Sequence, residues 1–158
     1  MEKISLKLFE FYNLDAELNG LTNQQTGEKI ASGLVQEKLS LVTKYWLSEL
    51  AKKVAAEKAS VEELKNELIK KYGKEDENGG ISIPMVLEQV DEEGNTKKVL
   101  NPEFQSFEKE FNELLQAEKE LEYKAFTLED FEKVETSENY QTFFKLIKVQ
   151  EAKVLPLS

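Results

Sequence analysis

The chain has 158 residues, 40% of them hydrophobic and 33% charged, and its 31 acidic residues against 21 basic ones leave a net charge of −10. Every basic residue is lysine; histidine, cysteine and arginine are absent. That composition excludes imidazole and thiol catalysis, thiolate metal sites and disulfides. It also argues against nucleic acid and anionic membrane surfaces as ligands, because both reward cationic density and arginine forks.

The length suits a single domain, 1–158. At the amino end, residues 3–8 (KISLKL) alternate, with Ile4, Leu6 and Leu8 on one side, which is strand periodicity. From Leu8 to Leu18 the apolar spacing becomes helical, and Asn19-Gly20 supplies a stop. Residues 3–28 therefore read as a strand and a short helix. A long helix is expected over 29–73, free of proline and closed by Gly73 and the polar run KEDENGG. In its second half Leu47, Leu50, Val54, Val61, Leu64 and Leu68 step by 3, 4, 7, 3 and 4, a stripe suited to an antiparallel helical partner. Its first half (Leu39, Leu41, Val42, Tyr45, Trp46, Leu47) is apolar nearly all round and is expected to be buried on more than one side. Ser60 with Glu63 could open a new helix. With neither glycine nor proline nearby, the unbroken helix is favoured.

Residues 81–100 read as a β-hairpin turning at DEEGN, with pairing delayed past Pro84, which cannot donate to a ladder. Asn101-Pro102-Glu103 is a helix start: an N-cap, proline in the first turn, then an acid. Over 101–119 the stripe Phe104, Phe107, Phe111, Leu114, continued to Leu121, matches the one on the long helix, so the two are expected to form a helical hairpin. Residues 120–150 read as a strand (LEYKAF), a short helix capped by Thr127 with Asp130, and a helical stretch from Tyr140 to Val149, followed by the tail VLPLS. The two strand-to-helix segments near the ends are expected to pair as a small antiparallel sheet.

The chemistry is sparse. Carboxylate pairs arise by chance among 31 acidic residues, and the loops KEDENGG and DEEGN lack the EF-hand ligand spacing, so both read as turns. No catalytic, cofactor-binding or metal-binding residues are assigned, no cofactor is expected, and the chain reads as non-enzymatic. No stretch approaches the apolar length of a membrane span, and the amino end is too charged for a signal peptide. What remains is aromatic surface. Trp46, Phe104, Phe107, Phe143 and Phe144 are the candidate protein-contact residues, since aromatic side chains dominate interface energetics.

The order of features, KISLKLFEFYNLDAELNGLTNQQTGEK, a lysine/glutamate helix ending LIKKYGKEDENGG, a hairpin, NPEFQSFEKEFNELL and a closing β segment, resembles small tailed-bacteriophage proteins of the crAss-like group. That resemblance implies a virion-associated or accessory phage protein, located in the virion or the host cytoplasm, and brings no functional residues with it. The expected fold is α+β, a long antiparallel helical hairpin with a β-hairpin between the helices and a small antiparallel sheet near the termini. The expected function is structural or assembly work in a phage particle, with other virion proteins or a second copy (a homo-oligomer) as partners. The alternative is a phage-encoded inhibitor of a host defence or polymerase protein.

Overall fold

A computed structural model describes residues 1–23, 25–134 and 137–147. The fold is α+β, built from helices and small antiparallel two-stranded sheets. The chain divides into two compact units, Met1–Lys58 with Glu118–Ser158, and Ala59–Ala117.

In the first unit the alternating segment forms β1 (Glu2–Lys7), and Leu8 passes straight into α1 (Leu8–Asn19), whose Leu8, Phe11, Leu14 and Leu18 are buried at helical spacing. The Lys7 N–H donates to the Glu10 carboxylate at 3.2 Å, fixing the first turn. Gly20 ends α1 at φ +80°, and a Cβ there would lie 2.4 Å from the Ala31 carbonyl oxygen. The chain then enters β2 (Gly20–Thr22), paired with β3 (Lys29–Ser32).

The expected helix over 29–73 is therefore wrong in its first dozen residues, which hold β3 and a 3₁₀ turn at Leu34–Gln36. Gly33 explains the difference, because a Cβ on it would sit 2.3 Å from the Leu18 carbonyl oxygen. The segment must turn back tightly on the end of α1, and only glycine fits there. The helix α2 (Leu41–Tyr72) starts after Ser40, whose Oγ accepts the Thr43 N–H at 3.2 Å as an N-cap would. From there it is unbroken past Ser60, as expected.

The carboxyl-terminal part of this unit opens with β8 (Glu118–Tyr123), which pairs antiparallel with β1 from Glu2↔Tyr123 to Lys7↔Glu118. Leu121, read both as the end of a helical stripe and as the first residue of the strand LEYKAF, takes the strand role and pairs with Ile4. The Lys53 ammonium of α2 donates to the Glu122 carbonyl at 2.9 Å. A 3₁₀ turn at Leu128–Phe131 is held by the Thr127 N–H on Asp130, and α4 is short, Gln141–Phe144. Glu17 of α1 accepts the amide protons of Thr142 and Phe143, satisfying donors that a helix start leaves open. The helix expected to run from Tyr140 to Val149 ends at Phe144, with 145–147 in turns, while 148–149 and the VLPLS tail lie outside the described residues. The core gathers Leu14, Leu18, Leu34, Leu47, Val54 and Phe143, all fully buried.

The second unit begins within α2. After it, β4 (Lys74–Glu75) pairs with β5 (Ile81–Ser82), and Asp76 closes the turn by accepting the amide protons of Asn78 and Gly80, both at 2.9 Å. β6 (Val86–Val90) and β7 (Thr96–Leu100) form the expected hairpin, paired only after Pro84. Asp91 serves that turn as Asp76 serves the other, accepting from Glu93 and Asn95. These carboxylates are committed to their own backbones, which is turn chemistry. Asn101 caps α3 (Pro102–Leu115) by accepting the Glu103 N–H at 3.1 Å. It also donates to the Pro84 carbonyl at 2.7 Å, tying the helix start to the base of the hairpin.

Candidate protein-contact surfaces

The first unit's candidate surface lies at the start of α2. Leu41, Val42 and Tyr45 are 85%, 68% and 56% exposed, against the expectation of burial on several sides. Leu47, Leu50 and Val54 take the inner face of α2, and at about 3.6 residues per turn the other three fall on the outer one. Trp46 is half-buried, with Tyr45 edge-on at 5.0 Å and the Lys124 ammonium 4.9 Å over its ring. A cation on an indole face is favourable and leaves the aromatic plane part of a polar surface.

Phe143 and Phe144 belong elsewhere. Phe143 is fully buried, 5.4 Å from the Phe126 ring and 5.1 Å from Phe131, and Phe144 is half-buried at the edge of the same cluster. Phe143 is thus a core residue, and a partner could not reach it without unfolding the cluster.

The second unit is different in kind, because α3 buries none of its side chains. Phe104, Phe107, Phe111, Leu114 and Leu115 are all half-buried, and the Phe107 and Phe111 rings stack at 5.8 Å. Two side chains of α2 reach α3, the Lys65 ammonium 5.6 Å over the Phe111 ring and Lys71 bonded to Glu110 at 3.3 Å. The Tyr72 hydroxyl, with help from Lys71 and against the effect of burial, holds Glu110 below the usual carboxylate range. Lys71 is raised correspondingly, by Tyr72 first and Glu110 second. Leu64, 44% exposed, and Leu68 line a groove of about 540 Å³ with Leu114, bordered by Glu67, Glu110, Glu113 and Lys71. On the other flank of α3, Met85 and Leu100 stand exposed beside Phe104. The hairpin continues that apolar surface through Val86 and Val90, while Leu87 and Val99 face the opposite way and are half-buried.

No protein-family model, curated protein or solved structure matches the chain.

Of the five aromatic residues picked out in the sequence, the structure brings Phe104 and Phe107 together on one face, sets Trp46 apart under Lys124, and places Phe143 with Phe144 in a core cluster. The residues missed are Leu41, Val42, Met85 and Leu100, together with the glutamates around the groove. Helical spacing carried the signal for the first two, because Leu41 and Val42 lie opposite Leu47, Leu50 and Val54 on α2. Among the described residues no group of three or more Asp or Glu side chains could hold a metal ion, and no helix is long and apolar enough to cross a membrane.

Proposed function

We propose that this chain works through protein–protein contacts rather than catalysis, as a structural or assembly component of a phage particle. In this reading α3 and the second half of α2 act as an open helical hairpin, with the β-hairpin between them in the chain, that presents its apolar face to a partner. The observation that carries the reading is the α3 stripe. Three phenylalanines and two leucines at helical spacing bury nothing fully within their own unit. Large apolar side chains left half in water lose burial free energy, about 25 cal/mol per Å² of apolar surface, that a partner's surface would recover. Aromatic side chains in that position are the usual energetic anchors of interfaces. The phage setting is supported by the resemblance in the order of features along the chain.

Mass spectrometry of purified phage particles tests both parts of this. A defined stoichiometry in the particle is expected. Absence from particles together with co-purification on a host protein would replace assembly with inhibition of that protein.

A further inference from the structure

Resting on that contact reading, we infer that the groove between α2 and α3 of the second unit takes a basic amphipathic helix from a partner protein. The groove has a leucine floor, Leu64, Leu68 and Leu114, and glutamates at its rim. Among the described residues Glu67 and Glu113 enter no ion pair, so their charges are available to a partner. The surrounding unit is strongly acidic. Residues 59–117 contain 14 Asp or Glu against 7 Lys, a net charge of −7 out of −10 for the whole chain.

That balance decides between occupants. A second copy docking the same face would set −7 against −7, a repulsion with little arginine-like bonding to offset it. A helix carrying leucines at i, i+3, i+4 and i+7, flanked by lysine or arginine, would fill the floor and neutralise the rim together. The chain already shows the chemistry within itself, since Lys65 lies over the Phe111 ring and Lys71 pairs with Glu110. The part of α2 in this unit and the whole of α3 are each 14 residues long. That length is about 21 Å at the α-helical rise, enough to cradle four turns of a partner helix.

The test uses the full chain and a fluorescein-labelled synthetic 16-residue peptide of that leucine/lysine pattern, followed by anisotropy. A matched peptide with glutamate at every lysine position is the control. Only the lysine peptide is expected to bind, and Glu67→Lys with Glu113→Lys should weaken it about tenfold or more, as loss of complementary charge at an interface does. The pair Glu122→Lys and Glu129→Lys makes the same change in net charge within the other unit and should leave binding intact. Circular dichroism confirms that all variants fold. Equal binding of both peptides, or equal weakening by both variant pairs, would overturn the inference.

A photo-crosslinker at position 107 separates this from the broader reading. If the peptide fails to bind and the crosslinker joins two copies of the chain, the basic-helix inference falls and the contact reading stands. If the peptide fails and position 107 gives no adduct in the producing cells, both fall.

Discussion

Replacing Phe143 by alanine should unfold the first unit far more readily than replacing Phe107 by alanine unfolds the second. Phe143 has no solvent exposure and meets three rings, Phe126, Phe131 and Phe144, with centroids 5.1 to 6.0 Å away. Truncating a buried phenylalanine costs about 3–5 kcal/mol, and aromatic pairs add about 0.5–1.5 kcal/mol each beyond area, so the upper part of that range applies. Against a total stability of about 5–15 kcal/mol, that is a large fraction. Phe107 is half-buried and stacks on Phe111, so its loss should cost about 1–2 kcal/mol on the same scale. Urea unfolding measures both. The single tryptophan, Trp46, lies in the first unit and reports on it alone, while far-ultraviolet circular dichroism follows the whole chain. With a urea slope of about 2 kcal/mol per M, the Phe143→Ala midpoint by tryptophan fluorescence should fall by about 2 M. A Phe143→Ala shift no larger than that of Phe107→Ala would refute the division between a filled core and an open face.

Gly33→Ala should destabilise the first unit by more than about 1 kcal/mol, because its Cβ would meet the Leu18 carbonyl oxygen at 2.3 Å, whereas the Gly33→Ala and wild-type melts would coincide if the turn had slack. Asn101→Ala removes both the cap on Glu103 and the bond to Pro84. It should cost about 1–2 kcal/mol and speed amide exchange at the start of α3, and unchanged exchange there would count against the cap. Burial raises the Glu10 carboxyl, but the Lys145 ammonium at 2.8 Å and the Lys7 N–H outweigh it and leave the group below the ordinary glutamate range. A folded value below the unfolded one contributes stability at neutral pH that is lost as pH falls through the depressed value. Lys145→Met should therefore flatten the acid limb of the stability curve, and identical acid limbs would remove the pair from the account.

Much of the local structure was legible in the sequence because the deciding residues act over short range. Alternation in KISLKL, the cap at Asn101-Pro102-Glu103 and the Asp91 turn each depend on neighbours within a few positions, and each forms as read. The pairing of β1 with β8 was also legible, since both strands share the alternating pattern. The start of α2 was not. Residues 29–40 carry no proline, and the reason that they leave the helix is the approach of Gly33 to Leu18, a contact that periodicity does not record. Leu41, Val42 and Tyr45 were expected inside because their segment is apolar nearly all round, yet at about 3.6 residues per turn they lie opposite Leu47, Leu50 and Val54, which take the core. For Phe143 the sequence could not separate core from contact, because an aromatic pair on a short helix suits either. Only the convergence of Phe126, Phe131 and Phe143 from separate segments decides it.

Carbene footprinting of the phenylalanines tests the open face of α3 most directly, in the isolated chain and in the complex that it forms in its producing cells. Heavy labelling of Phe104 and Phe107 is expected in the isolated chain, with little at Phe143, and protection of the α3 residues alone in the complex. Phe107 as protected as Phe143 in the isolated chain, or still fully labelled in the complex, would contradict it.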